Sequence, residues 1–307
     1  MGYGSYRASD WTKLKVSRGI REDSTAQELF QQKEVQDAFN PRYNKIRESR
    51  DSTDSPESTP IIIGFDVTGS MGYLAEEIAK NAMHKTVTQI YEKKPVSNPH
   101  ILCAAIGDVT DKAPLQVTQF EADIRIQKQL LDLWLEGGGG DAPESFNLLW
   151  YFAAFHTRTD AYEKRGKKGI LFTIGDASTH PGISGTAIAK IFGDPVKDWT
   201  NEELLARVSE QYEVYHIIVN SCSNVVFAGW NRLLPGRVAT LNRREVKYLA
   251  EVILSILQVV SGKSQKAVLA QWTDGAEAVA HALETIQVPP KPLGEKKNSF
   301  FRGIFGS

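Results

Sequence analysis

Three apolar runs in this chain each close on an aspartate: IIIGFD on Asp66, HILCAAIGD on Asp108 and GILFTIGD on Asp176. Runs of this length without polar alternation suit strands covered on both faces, the condition of a parallel sheet held between helices. Stretches of helical spacing lie between them. Residues 73–91 place Leu74, Ile78, Ala82, Val87 and Ile90 near one face, and further helices are expected over 122–135, over 144–155 and near Ala187 and Glu202. LQVTQF reads as an edge strand, VYHIIVN as another parallel strand, and GRVATL as a sixth before a helix over 244–260. This alternation predicts an α/β fold: a doubly wound, Rossmann-like, mainly parallel six-stranded sheet with one antiparallel edge strand, flanked by helices.

The chain divides by texture. Residues 1–59 are polar and charge-balanced and form an arm, with a helix expected over 25–39 and a linker-like close in ESRDSTDSPESTP; Trp11, Leu14, Val16 and Ile20 give the arm surface with which to dock. Residues 60–262 form the sheet domain. Residues 263–287 are expected to form one C-terminal helix, over 265–286, packed on it. The final segment, 288–307, reads as a flexible tail ending in FFRGIF beside Lys296, Lys297 and Arg302, with a short docking peptide as the other reading.

With 36 Lys and Arg against 37 Asp and Glu, the formal charge of −1 gives no global attraction to nucleic acid or anionic lipid. The 2 cysteines, Cys103 in an apolar run and Cys222 beside a polar loop, exclude a disulfide framework and a multi-cysteine zinc site. Residues 246–260 are interrupted by Lys247, Glu251, Ser255 and Gln258 and are too short for a membrane span. The opening MGYGSYRASDW lacks an apolar leader, and Tyr6 breaks the myristoylation pattern, so a cytoplasmic location is expected.

In an open α/β sheet, ligands bind beyond the carboxyl ends of the strands, which puts Asp66 and Asp176 where a site should lie. Asp66, Thr68 and Ser70 alternate as hard oxygen ligands able to converge on one cation, chemistry suited to Mg²⁺. A third segment, GGGGDAPES, presents Asp141 after a glycine run.

These motifs resemble the von Willebrand factor type A domain with its metal-ion-dependent adhesion site, of the bacterial intracellular type. Asp66-Val67-Thr68-Gly69-Ser70-Met71 is similar to that family's first motif, Asp141 stands where its second loop usually carries Thr, and Asp176 matches its third loop. The resemblance covers about residues 60–260. It implies metal ligation by Asp66, Thr68, Ser70, Asp141 and Asp176, with Mg²⁺ as resident ion and Mn²⁺ or Ca²⁺ as alternatives. It also implies a non-enzymatic interaction module with protein partners, among them a MoxR-type AAA+ ATPase or a multi-protein bacterial assembly. Aspartate in place of Thr would leave the ion overcompensated to about −1, making it a weaker electrophile toward a partner's carboxylate.

Other readings stand beside this one. Asp141 reads also as a cap on the following helix, with Pro143 near its start and Glu144 a first-turn acid. Asp108 reads as a turn former or as support behind the site, and His180 as a solvated loop residue. His84, His156, His216 and His281 read as packing or surface residues, and Cys103 as a small buried hydrophobe. Gly262-Lys263-Ser264 lacks the spacing of a phosphate loop. The alternative function is a Mg²⁺-dependent phosphohydrolase of the haloacid-dehalogenase type with Asp66 as nucleophile, disfavoured because the acid and lysine it needs are not evident and GGGGDAPE has no role in it. A purely structural domain is the third reading.

Overall fold

The computed structural model describes residues 6–138, 143–220 and 224–287, and of Ser70 the backbone only. Six strands form the main sheet: β1 (Thr59–Asp66), β2 (Pro99–Ile106), β3 (Leu115–Val117), β4 (Gly169–Gly175), β5 (Tyr212–Val219) and β6 (Val238–Leu241). Their order is β6-β5-β4-β1-β2-β3, parallel throughout except for β3, which runs antiparallel to β2 at the edge. The expected doubly wound α/β architecture is the one the chain adopts.

Alternation along the strands decides which layer each residue joins. Ile61, Ile63 and Phe65 of β1 face one layer with Phe172, Ile174, Tyr215 and Ile217, while Ile62 faces the other with Leu102, Leu171 and Ile218. The first layer carries α1 (Ala8–Arg18), α2 (Met83–Lys93) and the helix Leu249–Val260. The second carries α3 (Phe146–Phe155), α4 (Gly185–Phe192) and α5 (Asn201–Val208). Nine of the ten α3 residues are buried, because it lies over β1 and β2 on one side and against α5 on the other. Gly64 makes that crossing close: a Cβ there would overlap the side chains of Leu149 and Ile106.

The amino-terminal segment is pinned along its length. Trp11 and Leu14 of α1 are buried, and Trp11 stacks on His84 at 5.6 Å. Arg47–Ser49 pairs in parallel with Thr157–Thr159. Arg50 bridges to Asp160 at 2.8 Å and also to Glu48 and Glu163, and Asp51 pairs with Arg165. The stretch read as linker-like, ESRDSTDSPESTP, is thus packed, with Ser55 and Ser58 buried.

Three expected helices come out differently. Over 25–39 the Thr25–Glu28 capping box starts a helix, but it lasts only from Ala26 to Leu29. Beyond it Phe30 and Phe39 are both buried, and the Phe39 carbonyl is taken by the Val117 amide of the edge strand, so docking overrides local propensity. Over 122–135 the helix is shortened to Arg125–Leu131. The single helix over 265–286 is two, Gln265–Leu269 and Ala276–Leu283, separated at Gly275, whose φ of 71° ends any continuous helix. Past the second, the Gln287 amide donates to the Gly236 carbonyl and the Thr285 hydroxyl to Val238. The described chain therefore finishes at the amino end of β6, the pole of the parallel sheet opposite Asp66.

Candidate functional site

Register brings the acids together. Phe65 pairs with Ile174, so Asp66, the last residue of β1, lies beside Gly175, and Asp176 follows directly on the adjacent strand. A Cβ on Gly175 would come within 3.0 Å of the Asp66 Cβ, so the glycine permits this approach. Asp66 is 0% exposed. Its Oδ1 accepts the Thr68 amide at 2.8 Å, the usual Asx turn. Its Oδ2 is buried with no hydrogen-bond partner. Burial pushes the Asp66 carboxyl up to about 7; the Thr68 amide and side chain oppose this, while Asp176 and Asp111 add to it.

Thr68 is buried beside it. Gly69–Met71 form a single 3₁₀ turn closed by the Met71 amide on the Thr68 carbonyl at 2.9 Å, and Met71, fully buried, anchors that turn from below. The Gly69 amide donates to the Gly138 carbonyl at 2.8 Å, which seats the start of the glycine run on the first motif. Asp176 is half-buried, and burial raises its carboxyl against the pull of the Asn220 side chain.

Of the residues expected as ligands, Asp66, Thr68 and Asp176 are thus gathered at neighbouring strand ends. The backbone of Ser70 lies on the Gly69–Met71 turn, and Asp141 lies outside the described residues. Among the described residues no three His, Cys, Asp or Glu side chains converge closely enough to hold an ion by themselves. The donor chemistry still fits a hard cation: a desolvated carboxylate oxygen without a partner, a neighbouring hydroxyl-bearing residue, and a second carboxylate on the adjacent strand.

Two surroundings differ from expectation. His180 is not a solvated loop residue: its Nε2 meets Asp108 Oδ2 at 2.7 Å, and Asn147 and Asn201 both donate to its carbonyl. Asp108 also accepts from Thr110 and from the Ser145 hydroxyl at 3.1 Å. Burial raises its carboxyl, but Thr110 and His180 outweigh it and hold the carboxyl below the usual range. Asp108 forms the expected turn and also ties three loops together.

Glu144 is placed differently from its reading as a first-turn acid. The helix begins at Phe146, with Ser145 at its N-cap position, so Glu144 is not a first-turn acid on an exposed face. It is 6% exposed, and its Oε2 has no partner. Burial, followed by Asp66, Asp108 and Asp111, pushes its carboxyl up to about 8, with the Thr68 side chain pulling the other way. The available signal was FNLLWYFAAF: a helix apolar on every side is buried from its first turn, and so is the acid just before it. Tyr73 adds another buried oxygen without a partner, with the Arg243 guanidinium 4.4 Å from its ring centre.

No family model matches the chain, and no curated protein sequence does. Among solved structures it is similar to proximal thread matrix protein 1 from the mussel byssus, at 13% identity and a TM-score of 0.45 over 66% of this chain and 48% of that one. It is also similar to the pilus adhesin SpaC from Lactobacillus rhamnosus GG, at 9% identity and a TM-score of 0.43 over 68% of this chain and 31% of that one. A third is a von Willebrand factor type A structure from Catenulispora acidiphila, at 13% identity and a TM-score of 0.39 over 68% and 44%. This chain spans less than half the length of each, and the likeness is one of fold. No helix among the described residues is long and apolar enough to cross a membrane.

Proposed function

We propose that this chain is a non-enzymatic, cytoplasmic interaction module that binds a divalent cation, Mg²⁺, at the carboxyl ends of β1 and β4 and engages a protein partner through that face. The observation that carries the reading is the Asp66 Oδ2 atom, fully buried and without a partner, beside Thr68 and the Asp176 strand end. Burying a carboxylate oxygen unpaired is costly, and such an arrangement persists where something outside the chain compensates it. Asp66, Thr68, Ser70, Asp141 and Asp176 are the ligands in this reading. A bound ion supplies the compensating charge and a coordination position open to a partner. The partner class implied by the family resemblance is an AAA+ ATPase of the MoxR type.

The phosphohydrolase reading is the weaker one. The hydrolase type needs a lysine to offset the phosphate charge and a second acid after the Gly-Asp pair, and Ala177-Ser178-Thr179-His180 after Asp176 supplies neither. Calorimetric titration with Mg²⁺, wild type against Asp66→Ala, tests the proposal. Saturable binding lost in the variant, with no phosphate release by either protein, is the expected result. Phosphate release dependent on Asp66 would replace this reading with the enzyme.

A further inference from the structure

The loop that follows Asp176 is tied down along its length, and the first tie comes from the helix Asn224–Leu233, which links β5 to β6. The Trp230 indole N–H donates to the Ala177 carbonyl at 2.9 Å, one residue past Asp176. The Ser178 carbonyl then takes the Glu144 amide at 2.8 Å, and the His180 carbonyl takes the Asn147 and Asn201 side chains. Before Asp176 the sheet does the same work, with Gly175 paired to Ile218 of β5. The chain is therefore held on both sides of Asp176, and on the loop side the nearest hold is Trp230. That side chain is itself fixed: it is 1% exposed, stacked 3.5 Å from the His216 ring, and the rings of Phe146 and Trp150 meet it edge-on at 5.4 and 5.9 Å. Packing alone would be served by any large ring. The N–H adds a direction, and it points at the loop of the ion site.

Resting on the reading above, we propose that Trp230 is a positioning residue of the ion site, acting on Asp176 through the Ala177 carbonyl. That carbonyl belongs to a rigid peptide plane, so a bond to it restrains the backbone on which the Asp176 side chain is mounted. A ligand aimed before the ion arrives spares the cost of ordering it on binding. Hydrogen-bond partners behind metal ligands contribute about 10- to 100-fold in affinity, and a tie one residue removed belongs at the low end. The coupling is reciprocal: an ion that fixes Asp176 also fixes the acceptor of the indole.

The test is Mg²⁺ calorimetry on the full chain, for wild type, Asp66→Ala, Trp230→Phe and Trp272→Phe, with the indole N–H resonances of wild type and Asp66→Ala followed by NMR through the same titration. Trp230→Phe keeps an aromatic ring in place and removes the donor. Trp272→Phe is the matched control, since its indole also makes one bond, to the Ser255 hydroxyl at 2.8 Å, but in the helix layer on the other side of the sheet. Trp230→Phe should weaken Mg²⁺ binding about 10-fold, while Trp272→Phe stays within twofold of wild type. The Trp230 resonance should shift as wild type saturates and stay in place in Asp66→Ala. Affinity within twofold of wild type in Trp230→Phe, with binding still lost in Asp66→Ala, overturns this proposal alone. A loss of equal size in Trp272→Phe, or a Trp230 resonance unmoved by saturating Mg²⁺, also overturns it, because a bond kept only for packing predicts both. No saturable binding by wild type overturns it together with the reading it rests on. The resonance is read on the wild-type protein, so it decides should Trp230→Phe not fold.

Discussion

Asp66 and Asp176 were legible because an apolar run that stops at an acid has a single meaning in a parallel sheet: the chain has reached the end of a strand and the face where ligands gather. Thr68 followed from its spacing. The burial of Glu144 was not legible, because it depends on the pairing of Glu144 with the 178–180 loop, a contact between segments far apart in sequence. Gly175 belongs to the same scale. A Cβ there would press into the Phe146 ring and toward Asp66, so Gly175→Ala should cost about 1–3 kcal/mol by overpacking. Displacing Asp66 should also weaken Mg²⁺ binding in that variant. Urea unfolding and calorimetry check the two effects, and unchanged stability would mean that the sheet end yields more easily than its packing suggests.

The elements that were misread share one cause. Residues 25–39 and 265–286 both have helical composition, yet each is reshaped by what it docks against: the edge strand takes the Phe39 carbonyl, and Tyr248 closes on Gly275 and Asp274. Local propensity is worth tenths of a kcal/mol per residue, and tertiary contacts exceed it. The four central strands were legible because they are long apolar runs buried on both faces. At this scale the Arg50 cluster is the fastening of the arm, joining the segment beyond Arg47–Ser49 to the helix Asp160–Arg165. Burial opposes ionisation of Asp160, yet Lys164, the Asp51 amide and Arg50 together hold its carboxyl down to about 2. Arg50→Ala should therefore destabilise the protein by about 1–3 kcal/mol, between the values for exposed and buried pairs, and should open the stretch around 50–58 to proteolysis. Cleavage no faster than in wild type would show that strand pairing alone holds the arm.

For the molecule as a whole, burial of histidine in the sheet sets a pH dependence. His100 on β2 is fully buried with Ser49 at 3.1 Å, and burial pushes its ring down to about 4; His216 on β5, stacked 3.5 Å from the Trp230 ring centre, lies well below its ordinary value for the same reason. Both stay neutral in the fold, whereas the unfolded chain protonates them below about pH 6.5, so each removes stability as pH falls, at about 1.4 kcal/mol per unit. For His100 the window is about 6.5 to 4. Asp66 and Glu144 act in the opposite direction, since their raised carboxyls hold protons that the unfolded chain has released. The readout is therefore a difference: between pH 7 and pH 5, wild type should lose about 2 kcal/mol relative to His100→Gln in urea unfolding. Parallel pH profiles for the two proteins would show that the ring is hydrated or protonated in the native state.

The placement of Gln287 against Gly236 bears on how such experiments are mounted. The eight residues of β1 span roughly 26 Å, and the described chain ends at the opposite pole of the sheet from Asp66. A linkage introduced directly after residue 287 would therefore start from the far pole, the end of the sheet away from Asp66. Immobilised partner-capture measurements are best designed with the surface attached at that position.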